Sequence, residues 1–119
     1  MRSLLVLLAA LLLARAPQAE AHAFLERAEP AVGSTTRVAP PELRLRFSEP
    51  VEPALSTVRV LDAAGTRVDR GDVSADPADR RTLRVSLSGL PPGTYKVVWR
   101  VLSVDTHVTN GDFVFRVAP

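Results

Sequence analysis

The chain has 119 residues, with 15 Lys and Arg against 13 Asp and Glu, a net charge of +2, and no cysteine. Charge of both signs is interspersed without a basic block, which argues against nucleic acid as a partner. The lack of cysteine excludes disulfide staples and every thiolate site for zinc, Cu(I) or iron–sulfur clusters.

The first twenty-one residues read as a secretory signal. Met1-Arg2-Ser3 gives a short positive start, Leu4 to Leu13 is an unbroken apolar run, and Ala19-Glu20-Ala21 is a small-x-small cleavage site. The apolar run falls well short of the roughly 20 residues that span a bilayer. A competing site, Ala14-Arg15-Ala16, would leave Pro17 first, which suits a processing enzyme poorly. Cleavage is therefore expected between Ala21 and His22, giving a signal at 1–21 and one mature domain at 22–119. The sole methionine, Met1, departs with the signal. The expected destination is the periplasm, or the extracellular side or cell envelope in a host without an outer membrane. No second apolar span follows, so no membrane anchor is expected, and the chain is expected to act as a monomer.

Along the mature chain the dominant period is two, the mark of strands with one buried face. Ala23 to Arg27 is a weak first candidate. Glu42-Leu43-Arg44-Leu45-Arg46-Phe47 alternates strictly, Ser56 to Leu61 follows, and Thr82 to Leu87 alternates again. Thr94 to Leu102 puts Tyr95, Val97, Trp99 and Val101 on one face, and Phe113, Phe115 and Val117 close the series. Turn residues separate these runs: Pro40-Pro41, Glu49-Pro50, Glu52-Pro53, Ala64-Gly65, Arg70-Gly71-Asp72 and Gly89 to Gly93, with Asn110-Gly111 expected as the turn before the last strand. Arg70-Gly71-Asp72 matches an adhesion tripeptide, but a short inter-strand turn explains it better. No long stretch with helical period follows the signal. The pattern predicts an all-β antiparallel sandwich with Trp99, Tyr95, Phe47, Phe113 and Phe115 in its core.

Two histidines are present, and both stand in notable places. His22 would be the first mature residue, where the terminal α-amine and its own Nδ1 can chelate one ion in a six-membered ring. His107 follows Asp105 within Ser103-Val104-Asp105-Thr106-His107, and residues two apart in extended chain point the same way. If the fold joins these sets, three nitrogens and one oxygen surround one point. Tetragonal nitrogen and oxygen donors suit Cu(II), which also heads the divalent affinity order; zinc and nickel are the competitors.

These residues carry a family resemblance. His22-Ala23-Phe24-Leu25 with Glu29-Pro30-Ala31, Leu45 to Val51, Pro92 to Val101, Ser103-x-Asp105-x-His107 and Gly111-x-Phe113-x-Phe115-x-Val117 resemble, in order, the CopC family of periplasmic copper-binding proteins. The resemblance implies an immunoglobulin-like Greek-key β-sandwich or barrel. It also implies one Cu(II) per chain held by His22, Asp105 and His107, and a non-catalytic role in copper resistance and homeostasis as carrier or sequestering protein. The glutamate of Phe47-Ser48-Glu49 lies at the site in some members, so Glu49 enters as a weak ligand or neighbour, or equally as a strand-end carboxylate. An inner-membrane CopD-like copper transporter is the implied client. Some relatives bind Cu(I) through a methionine-rich loop, which this chain has no residues to build. Two alternatives stand beside this reading: a copper-dependent oxidase or monooxygenase using the same brace, and a structural sandwich module without a metal.

Overall fold

A computed structural model describes residues 22–119; the expected signal at 1–21 lies outside the described residues. Eight strands form: β1 (Leu25–Glu29), β2 (Thr35–Thr36), β3 (Glu42–Phe47), β4 (Thr57–Leu61), β5 (Ser74–Asp76), β6 (Asp79–Ser86), β7 (Gly93–Leu102) and β8 (Val108–Val117). A 3-10 turn, Pro53–Leu55, lies between β3 and β4. They make two four-stranded sheets, β1-β3-β6-β5 and β2-β8-β7-β4.

The period-two runs predicted this arrangement because each strand hides one set of alternating side chains between the sheets. Leu43, Leu45 and Phe47 of β3 and Leu83 and Val85 of β6 face Val58 and Val60 of β4, Tyr95, Val97, Trp99 and Val101 of β7, and Phe113, Phe115 and Val117 of β8, all buried. The five aromatic residues expected in the core are buried there. Phe47 meets Trp99 edge-on with ring centroids 5.2 Å apart, so the two sheets touch through them. Tyr95 and Phe115 stack at 5.5 Å. Each such side chain contributes about 1.5–3 kcal/mol on burial, which is how the domain holds together without disulfides.

Four features differ from the sequence expectations. The architecture is two sheets, with neither sheet closed on itself into a barrel. Antiparallel pairing holds for every strand pair except one, since the two-residue β2 runs parallel to β8. The first strand begins at Leu25 rather than Ala23, and β5 is a short strand with little sequence signal. Most consequentially, Asn110-Gly111 is no turn: it lies inside β8, where Gly111 pairs with Trp99 and Asn110 with Arg100. The glycine is there because the indole of Trp99 occupies the space a side chain would need, a Cβ at Gly111 falling 2.6 Å from the ring. The chain instead reverses at Ser103 to His107.

The sheets are stitched along one side by residues 67–69. Arg67 bridges to Leu61, the last residue of β4, and Asp69 bridges to Leu87 just past β6. The Asp69 carboxylate is sealed from solvent. It accepts the Val60 N–H at 2.9 Å, the Gly71 N–H at 3.0 Å and the Arg67 guanidinium. Gly71, at φ 70°, lies within Arg70-Gly71-Asp72, and the Asp72 carboxylate accepts both the Ser86 N–H and its hydroxyl. The tripeptide is thus an inter-strand turn tied down at both ends.

Candidate metal centre

Two segments from opposite ends of the chain meet at one edge of the sandwich. Residues 22–24 precede β1, and the reversal Ser103–His107 joins β7 to β8. The rings of His22 and His107 lie 4.8 Å apart at their centroids and 83° apart in plane. A first-row metal binds imidazole nitrogen at about 2.0–2.1 Å, so two rings at this separation can reach one ion.

The loop is shaped around Ser103, which is fully buried. Its hydroxyl donates to Asp105 Oδ1 and accepts the His107 N–H at 3.2 Å. Its own N–H donates to the His107 carbonyl at 2.9 Å, and the Thr106 N–H returns to the Ser103 carbonyl at 2.9 Å. Ser103 also pairs with Val51, and the Val104 N–H donates to the Pro50 carbonyl at 3.1 Å, which fixes the loop against the chain leaving β3. Thr106 has φ 72°. A β-branched residue in the left-handed region is a genuine outlier.

This corrects one step of the sequence argument. Asp105 and His107 share a side through a tight turn with a left-handed residue between them, and not through the alternation of extended chain. The outcome still brings them together: His107 Nδ1 stands 3.4 Å from Asp105 Oδ1. The Ser103 hydroxyl holds the Asp105 carboxyl below the usual carboxylate range, against partial desolvation and with help from His107. The group is an ionised oxygen donor at neutral pH.

Of the expected residues, His22 meets His107 and His107 meets Asp105. Glu49 is half-buried beside Pro50, and among the described residues no hydrogen bond or ion pair joins it to Asp105 or His107. Among the described residues no group of three or more His, Cys, Asp or Glu side chains is assembled closely enough to hold a metal as it stands. The convergence is pairwise, through His107.

Three hydroxyl residues at this edge escaped sequence reasoning. Ser48, just past β3, accepts the Phe24 N–H at 2.8 Å and donates to the His22 carbonyl at 3.0 Å. Thr109 of β8 donates to the Ala23 carbonyl at 2.7 Å. Ser103 organises the loop. Serine and threonine near strand ends are too common to stand out in one sequence. Phe24, Val104 and Val108 are exposed apolar residues of the two segments and the start of β8, with Phe24 6.1 Å from His22 between ring centroids.

Comparison with known proteins gives one consistent answer. The family model described as the CopC domain matches residues 25–118. Protein YobA of Escherichia coli K12 is 36% identical over 102 residues, covering 85% of this chain and 82% of its own. The crystal structure of CopC from Methylosinus trichosporium OB3b superposes with a TM-score of 0.77 at 36% identity, covering 82% of this chain and 95% of that one. The crystal structure of PcoC, a methionine-rich copper resistance protein from Escherichia coli, gives a TM-score of 0.72 at 30% identity, covering 82% and 99%. The match spans both sheets and runs through the Asp105/His107 loop, and on it the chain belongs to the CopC family.

Proposed function

We propose that the exported chain begins at His22 and binds one Cu(II) through four donors: the His22 α-amine and Nδ1, one imidazole nitrogen of His107 and the Asp105 carboxylate. A copper-binding role in copper resistance follows from family membership at the level of the family. The same membership makes the protein a non-catalytic carrier, which removes the monooxygenase alternative. The finer site rests on one observation, the meeting of the His22 and His107 rings at 4.8 Å from opposite ends of the chain. Asp105, ionised and held against the same imidazole, supplies the anionic oxygen. Nitrogen and carboxylate donors without a thiolate or thioether favour Cu(II) over Cu(I).

The three donor residues fit such an ion chemically, and each has a distinct task. His22 offers a chelating pair only when nothing precedes it. His107 links the two halves of the site. Asp105 offsets part of the cation's charge. Glu49 is a peripheral carboxylate at the end of the segment that carries Ser48, and its removal should matter little. The protein works in the periplasm, or outside the cytoplasmic membrane of a host with a single membrane, as carrier or sequestering protein. A CopD-like membrane transporter is the proposed client.

Two measurements on protein exported from the full chain test this. Intact mass with and without copper reports the first residue and the stoichiometry together. Calorimetric titration with Cu(II) should give one tight site that His22→Ala and His107→Ala each abolish or weaken by at least about a hundredfold, the scale of losing one ligand of a chelate. A product that begins upstream of His22, or binding indifferent to both substitutions, would defeat the proposal.

A further inference from the structure

We infer that Ser48 and Thr109 are positioning residues that form a two-sided hydroxyl clamp on residues 22–24 and so set His22 against His107. The inference deepens the copper reading above and rests on it for its functional consequence, though the clamp itself is a property of the metal-free fold.

No strand ladder holds the segment ahead of β1, although Ala23 is packed into the core. It lies outside any strand, and Phe24 is largely exposed. A chain end outside a sheet ordinarily frays unless it is tied down. Here four hydrogen bonds hold three residues. Ser48 contributes three of them: its hydroxyl accepts from Phe24 N–H and donates to the His22 carbonyl, and its N–H donates to the Phe24 carbonyl at 2.8 Å. The fourth comes from the other sheet, where the Thr109 hydroxyl donates to the Ala23 carbonyl. Ser48 continues β3 of one sheet and Thr109 belongs to β8 of the other, so the segment is gripped from both layers. Between them Ala23 is fully buried, its methyl part of the core.

The geometry explains why both hydroxyls bear on the metal centre. Thr109, the second residue of β8, lies two residues beyond His107, so one stretch of chain presents an imidazole and anchors the segment bearing its counterpart. Ser48 grips the carbonyl of His22 itself. Neither side chain is a candidate ligand, since their hydroxyls are already used on the backbone. Their contribution is to place the His22 ring in advance, so that binding need not first order the chain end.

The experiment uses protein exported from the full chain, as wild type, Ser48→Ala, Thr109→Val and the hydroxyl-retaining Ser48→Thr and Thr109→Ser. In the metal-free state, nuclear Overhauser effects between the His22 and His107 ring protons read the clamp directly. They should be present in wild type and vanish in Ser48→Ala and Thr109→Val, with the core signals of Phe47, Trp99 and Phe115 unmoved. Thr109→Ser and Ser48→Thr should restore them in large part. Cu(II) affinity should fall about tenfold for each hydroxyl removed, the effect of deleting one or two backbone-fixing hydrogen bonds, and the copper electron paramagnetic spectrum should broaden. Should Ser48→Ala fail to fold, Thr109→Val on the opposite sheet decides alone. Ring-to-ring effects that persist in both hydroxyl-free variants overturn the clamp. If those effects disappear as expected but the wild-type protein binds no Cu(II), the clamp stands and the copper reading falls instead.

Discussion

A methyl group on Gly111 would stand 2.6 Å from Cζ2 of Trp99, the residue that faces it across the β7–β8 ladder. The indole fills the place of the missing side chain, and the same ring touches Phe47 in the other sheet. Gly111→Ala therefore forces Trp99 off its position or bends β8. We expect a loss of about 1–3 kcal/mol, as for other overpacked cores, together with a shifted tryptophan fluorescence maximum. Denaturant unfolding measures the first and an emission spectrum the second. A variant as stable as the parent would show that the ring does not depend on the glycine.

Thr106 carries the loop's unfavourable backbone angle, φ 72°. Asparagine tolerates the left-handed region better than a β-branched residue. Thr106→Asn should therefore raise stability by several tenths to about 1 kcal/mol with copper binding intact. Thr106→Pro locks φ near −65° and removes the N–H that reaches Ser103. It should disorder the loop and abolish tight Cu(II) binding while the far-ultraviolet spectrum of the sheets stays as it was. Thermal melts and titrations separate the two effects.

Asp69 gives the fold a specific acid sensitivity. Burial alone would raise its pKa, but the Arg67 guanidinium and the N–H groups of Val60 and Gly71 together lower it below the ordinary carboxylate value. A depressed folded pKa contributes stability that is complete above the unfolded value of about 3.9. That contribution disappears as pH falls through the folded value. Asp69→Asn should cost about 1–3 kcal/mol at neutral pH, and its stability should change less with pH below about 4 than the wild type's. Parallel acid titrations of the two proteins would sink the assignment.

Residues 22–119 contain neither methionine nor cysteine, so the donors at hand are imidazole, amine and carboxylate. Reduction of the loaded protein with ascorbate should release copper to a Cu(I)-selective chelator essentially completely, because Cu(I) prefers soft sulfur ligands. The structurally similar PcoC is described as methionine-rich. Retention of Cu(I) against the chelator would mean that a donor set outside His22, Asp105 and His107 is at work.

The strands were legible because a strand's signal is local. Leu43, Leu45 and Phe47, or Tyr95, Val97, Trp99 and Val101, declare a buried face by alternation with their own neighbours, and the structure buries every one of them. The glycine of Asn110-Gly111 misled for the same reason. Glycine in a turn and glycine under an indole look identical until the partner strand is known. The alternation of Asp105 and His107 suggested the right pairing for the wrong cause, since a left-handed residue makes the turn between them.

The composition alone determined which metal chemistry is open to residues 22–119, by the types of donor they contain and those they lack. It also determined that the core must be built from alternating apolar residues, and the ordered motifs carried the family. Only the tertiary structure decided that His22 meets His107, that Ser48 and Thr109 hold the segment between two sheets, and that Glu49 shares no hydrogen bond or ion pair with Asp105 or His107 among the described residues. Those relations join residues far apart along the chain. They exist only after β3 and β8 have been placed in facing layers, and no local periodicity encodes such a distance.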